Sequence, residues 1–145
     1  MNIKINDYQS SAFDSLKALL QQVYDSDITQ ELLEAYYVTA SRKIIIATST
    51  DTNSVVGCAF LEYRRDYVRP KKSLFITYVA VDPKCRKQGI GRLLFDEIDK
   101  RAKDSNCCAI ELTSANYREG AHTFYNAIGY SIKKTTVFIK DLDKD

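Results

Sequence analysis

The 145-residue sequence has a single histidine, and its four cysteines, Cys58, Cys85, Cys107 and Cys108, include no C-x-x-C pair. Zinc sites draw on closely spaced Cys and His, so no metal-binding residue is expected. No apolar run is long enough to cross a bilayer, which argues against a membrane role. The formal net charge of +2 is too small to mark a nucleic-acid partner. The opening residues, MNIKINDYQSS, hold no apolar core of signal-peptide type, so a cytoplasmic location with reduced thiols is expected. In that setting Cys58, Cys107 and Cys108 read as small buried hydrophobes in or before apolar strands. Cys85 lies in a basic loop where a thiolate would be favoured, although filling the loop is the simpler role.

What is present describes one domain, residues 1–145, long enough to bury a core. Ile3 and Ile5 alternate with polar residues as in a short strand. Phe13, Leu16, Leu19, Leu20 and Val23 recur at helical spacing. Ile28, Leu32, Leu33, Tyr36 and Tyr37 do so after Asp27, which forms a capping-box pattern with Gln30. KIIIAT and SVVGCAFLEY read as a hairpin, RRDYVRPKK as a connection, and SLFITYVAV as a strand covered on both faces. A helix striped by Leu93, Leu94, Ile98 and Ala102, a strand CAIELTS, a short helix closed by Gly129 and a last strand SIKKTTVFIKDL complete the order. The expectation is an α/β (α+β) fold: a single mixed, mostly antiparallel sheet with helices on both faces.

Between the apolar strand and the Leu93 helix lies RKQGIG, Arg86 to Gly91. A Walker loop would continue with Lys and then Ser or Thr, but Arg92 and Leu93 follow; a dinucleotide fingerprint would need a small residue where Leu94 stands. The physics common to both remains: a strand, a glycine loop and a helix whose first N–H groups are unpaired can hold a phosphate. A plain tight turn explains the loop by itself equally well.

Two motifs raise the phosphate reading. VAVDPKCRKQGIG carries Val79, Val81, Pro83, Arg86, Gly89 and Gly91; ELTSANYREGAHTFYNAIGY carries Asn116, Ala121, Phe124, Tyr125, Gly129 and Tyr130. In this order and spacing the sequence resembles the GCN5-related N-acetyltransferase (GNAT) superfamily over its C-terminal half. The resemblance implies acetyl-CoA as donor, its pyrophosphate on the loop amides of Lys87, Gln88, Gly89, Ile90, Gly91 and Arg92, with Arg86 adding charge to the same cofactor site. It implies a pantetheine arm paired with backbone near Val79 and Val81 where two strands splay, and a hydrogen bond from Asn116, a residue that otherwise caps a turn. It also implies Tyr125 as the acid that protonates the departing thiolate. Exchange of the final strand between subunits occurs in the family and would give a homodimer.

The general base is not evident. Many relatives carry a carboxylate on the strand before the glycine loop, where this sequence has Thr77 and Tyr78. Glu111 is the first candidate, acting directly or through water, with Glu62 and His122 behind it. The acceptor expected is a primary amine of a small molecule, attacking directly in a ternary complex. A protein lysine or N-terminus, or a non-catalytic acyl-CoA-binding module, are the alternatives. ELTS, the R-x-x-A-H-x-F-Y run and a late F-x-K-x-L also resemble aminoalkylphosphonate N-acetyltransferases. The basic connection holding Arg64, Arg65, Arg69, Lys71 and Lys72 would then draw in an anionic amine.

Overall fold

The computed structural model describes residues 2–143. The chain divides into two compact units, residues 1–113 and 114–145. The first holds a five-stranded sheet in sequence order: β1 (Ile3–Asp7), β2 (Arg42–Ser49), β3 (Val55–Asp66), β4 (Lys71–Val81) and β5 (Ala109–Leu112). Neighbours from β1 to β4 are antiparallel and β5 joins β4 in parallel. A parallel partner needs a crossover, which the helix α3 (Ile90–Asp104) supplies.

Side-chain alternation along the strands sorts the core into two layers. Ile44, Ile46, Cys58, Phe60 and Ala80 join one cluster with Phe13, Leu16, Leu19 and Leu20 of α1 (Phe13–Tyr24) and Leu33 of α2 (Gln30–Tyr37). On the opposite face Gly57 lets α3 approach, since a Cβ there would lie 3.0 Å from Ile90 Cγ2 and 3.2 Å from Leu94 Cδ1. α3 buries Ile90, Leu94, Phe95, Ile98 and Ala102. Leu93, expected in that stripe, is exposed, because the row at four-residue steps from Ile90 carries the contact.

Two further expectations are corrected. The cap of α2 is Thr29, whose hydroxyl accepts from the Leu32 N–H at 3.2 Å. The Asp27–Gln30 box does not form: the Asp27 side chain is 99% exposed, and Gln30 Nε2 donates to Glu34 Oε2 at 3.1 Å. Thr29→Ala is expected to cost about 1 kcal/mol of unfolding free energy, and Asp27→Ala no more than about 0.5 kcal/mol. Denaturant unfolding of both variants checks this, and equal losses would return the cap to Asp27. Second, the connection at 64–72 is mostly strand. β3 runs to Asp66 and β4 starts at Lys71, leaving a turn in which Asp66 Oδ1 accepts from the Val68 and Arg69 N–H groups at 2.9 and 3.1 Å.

β4 departs from regular pairing once. Phe60 faces Tyr78 and Leu61 faces Ile76, so Thr77 is an extra residue, a β-bulge. The strand is not covered throughout, as its sequence suggests; it opens at Thr77 and Tyr78, both exposed.

The second unit contains α4 (Glu119–Ala127). Its end is a Schellman motif: Gly129 has φ +103°, the Tyr130 N–H donates to Tyr125 O at 2.9 Å, and the Gly129 N–H to Asn126 O at 3.2 Å. The strand expected over 131–142 does not form, and Ile132, Val137, Phe138, Ile139 and Leu142 are exposed. Alternation marks a segment able to pair, but a strand exists only against a neighbour's N–H and C=O groups. Among the described residues no helix is long and apolar enough to cross a membrane.

Candidate active site

β4 ends at Val81, and the Asp82 carboxylate then accepts from the Lys84 N–H at 2.9 Å to cap a short 3-10 turn, Pro83–Cys85. Cys85 is buried, so it fills the loop. Cys58 is buried as expected, and burial pushes its thiol up to about 12, whereas Cys107 is only half-buried and Cys108 is exposed. The expectation of buried thiols fails for this pair because they precede β5 at its exposed start.

The two loop glycines have different reasons to be glycine. Gly89 caps α3 with φ +82° and a Cβ there would meet nothing within 4 Å, so backbone conformation selects it. Gly91 sits inside the first turn of α3 and is not among the positive-φ residues. A helical glycine costs about 1 kcal/mol relative to alanine. The Leu93 N–H donates to Gly89 O at 3.1 Å, and the N–H groups of Ile90, Gly91 and Arg92 precede this first intrahelical bond. Arg86, Lys87 and Arg92 are exposed around them.

Beside this loop the sheet splits. β5 pairs with β4 only from Ser73 to Ile76, while β4 continues to Val81. The Asp82 N–H donates to Val56 O at 2.8 Å, so alternation turns the groups of Ala80 towards β3 and those of Val79 and Val81 away, to the open side. The Tyr24 hydroxyl confirms that direction by donating to Val79 O at 2.7 Å.

On the α1–α2 side of this edge lies a pocket of about 270 Å³. Leu20, Tyr24, Ser26 and Ile28 line it from α1 and the segment after it, Tyr37 from α2, Phe60 from β3 and Tyr78 from β4. The rings meet edge to face in series, Tyr37–Phe60 at 4.9 Å, Phe60–Tyr78 at 5.8 Å and Tyr78–Tyr24 at 5.2 Å between centroids. Sequence reading missed this pocket. Its one signal was polar Thr77 interrupting the apolar strand, the position of the bulge that returns Tyr78 to Phe60's side.

The carboxylates considered as bases lie elsewhere on the sheet. Glu111 pairs in register with Phe75, and so does Glu62 from the other side, four positions before Val79. At the usual strand rise that is roughly 13 Å. Glu62 is also held ionised, its carboxyl below the ordinary range, first by Arg64 at 2.7 Å and also by Arg42 at 3.2 Å. The basic connection is farther still. Lys72 is seven positions from Val79, roughly 23 Å along the strand, and Arg64 is engaged by Glu62 and lies 3.8 Å over the Phe75 ring. It lines a separate groove with Arg65, Lys43 and Arg101. The anionic-amine expectation loses its support, because β3 and β4 carry these cations to the end of the sheet opposite the glycine loop.

In the second unit, Asn116 is exposed in the turn before α4, and His122 and Tyr125 are half-buried on α4. Burial raises the Tyr125 phenol above its ordinary value, partly opposed by Arg118, and its ring lies 5.9 Å from Phe124 and 6.2 Å from Tyr130.

Comparison with known proteins extends the C-terminal motifs over most of the chain. The acetyltransferase (GNAT) family profile matches residues 10–130. An aminoglycoside N(6')-acetyltransferase type 1 of Acinetobacter baumannii is 24% identical over 144 residues, covering 97% of both chains. The fold matches an acetyltransferase of Trypanosoma brucei with a TM-score of 0.84 at 18% identity, covering 96% of this chain and 99% of that one. It matches AAC(6')-Iy, solved with a bisubstrate analog of CoA and acetylneamine, with a TM-score of 0.83 at 16% identity over 97% and 99%. With the glycine loop, the split between β4 and β5 and a profile match from the first helical turn to Tyr130, the chain belongs to the acetyltransferase (GNAT) family and is an acetyl-CoA-dependent N-acetyltransferase.

Proposed function

We propose that the chain passes the acetyl group of acetyl-CoA directly to a primary amine of a small molecule while both are bound. The observation that carries this is the open edge of β4, where outward backbone at Val79 and Val81 lies between the glycine loop and a small pocket. The loop amides from Lys87 through Gln88, Gly89 and Ile90 to Gly91 and Arg92 hold the pyrophosphate, and the basic side chains, Arg86 among them, add charge. Backbone at Val79 and Val81 pairs with the pantetheine arm, and Asn116 adds a hydrogen bond.

The amine nitrogen attacks the thioester carbon, and the Val79 N–H steadies the oxyanion. The C–S bond then breaks and the thiolate takes the Tyr125 proton. That role rests on the Tyr125 motif and on burial, which keeps the phenol protonated at neutral pH. The attacking nitrogen gives up its proton to water; Glu111, at the level of Phe75, takes part only through such water. The setting is cytoplasmic, in keeping with four free thiols. A homodimer formed through residues 131–142 is part of this reading, since that run is apolar, alternating and outside any strand.

Initial rates of thiol release, with acetyl-CoA and amine both varied, test direct transfer. Intersecting double-reciprocal lines are expected; parallel lines would mean an acetylated enzyme and overturn it.

A further inference from the structure

We infer that the acceptor is a small amine with a single positive charge and an aromatic or branched apolar body, seated in the pocket between α1, α2 and β4. The inference rests on the acetyl transfer proposed above and names its substrate class.

The pocket adjoins the chemistry. Tyr24 is at once a wall of it and the donor to Val79 O, and Tyr78 is the residue before Val79 on β4. What the lining lacks decides the class. Among the described residues, four rings and the aliphatic Leu20 and Ile28 leave only the phenols and the Ser26 hydroxyl as polar side chains, with no carboxylate and no cation. A polyamine-like aminosugar would bring several ammonium groups against walls that pair none of them, and an aminophosphonate would bring a dianion with no Arg or Lys to meet it. An aryl or branched alkyl body loses water against the rings and carries no such penalty. Its one ammonium group can meet ring faces or phenol oxygens before it deprotonates and attacks. The volume of about 270 Å³ falls just below the range for drug-sized ligands, which again points to one ring rather than several. The rings are already seated edge to face, so the pocket is formed before the acceptor arrives.

The test compares thiol release from acetyl-CoA with 2-phenylethylamine, 2-aminoethylphosphonate and the aminoglycoside kanamycin, alongside calorimetric acetyl-CoA affinity. The expected result is a kcat/KM for 2-phenylethylamine at least about tenfold above both others. Tyr78→Ala, at a side chain exposed enough to be replaced without emptying the core, is expected to raise KM for 2-phenylethylamine about tenfold with acetyl-CoA affinity unchanged. Preference for kanamycin or the phosphonate, or an unmoved KM in Tyr78→Ala, would overturn the acceptor class and leave acetyl transfer standing. Acetyl-CoA binding with no thiol release from any amine would overturn both.

Discussion

Tyr125→Phe is expected to lower kcat roughly a hundredfold, the lower end for loss of a general acid, with acetyl-CoA affinity unchanged. The substitution keeps the ring, and so its neighbours Phe124 and Tyr130 on α4 and at its end, and removes only the hydroxyl. The sign of the pH dependence follows from burial, the main influence on this phenol, which raises it above 10. An acid works when protonated, so its contribution is complete at neutral pH and fades only as pH rises through that raised value. Rate measurements in single turnover, where product release does not intrude, are the check. A near-native rate for Tyr125→Phe would remove this residue from the chemistry.

Gly91→Val is expected to weaken acetyl-CoA binding at least tenfold, about 1.4 kcal/mol. The reasoning begins with helix propensity. Gly91 has no positive φ and lies in the first turn of α3, where almost any residue other than proline would suit the helix better. A glycine kept where the backbone does not need one suggests that room is needed, in this case for a phosphate against exposed N–H groups. The variant should therefore fold at least as stably as the native chain while binding the cofactor poorly, a divergence that a merely structural glycine would not produce. Calorimetry and thermal unfolding on the same sample separate the two. Unchanged affinity would move the pyrophosphate away from this loop. Gly89 is the contrast, since its φ of +82° makes any substitution there a backbone perturbation first.

Much of the scaffold was legible because it depends on local patterns. The stripe of α1, the strand ending at Val81 and Gly129 at the end of α4 each follow from periodicity or a backbone constraint read within a few residues. The cap of α2 was misread because Asp27 and Thr29 both fit the local rule, and the path of the chain decides which hydroxyl or carboxylate reaches Leu32. The segment 131–142 was misread because alternation expresses capacity to pair while a strand depends on a partner. The turn at Arg86 to Gly91 was legible as a loop opening a helix, since that depends on consecutive backbone groups. The pocket was not, because Tyr24, Tyr37, Phe60 and Tyr78 come from four elements and converge only through the sheet register. The basic residues from Arg64 to Lys72 were misplaced for the same reason: sequence adjacency to β4 says nothing about which end of the strand they occupy.

The extra residue at Thr77 works as a phase shift in the strand. Up to Ile76, β4 presents one set of side chains to each helical layer; past the bulge the parity is reset, so that Tyr78 joins Phe60 and the backbone of Val79 turns outward. Identity at position 77 therefore matters less than occupancy. A different side chain there leaves the count intact, whereas losing the residue would keep Ile76 opposite Leu61 and Tyr78 opposite Phe60 in a regular ladder, and remove the local bend and added twist of β4. Along this strand the departure from a regular ladder is encoded by a number of residues: position 77 can change its side chain freely, and only its removal would close β4 back into unbroken register with β3.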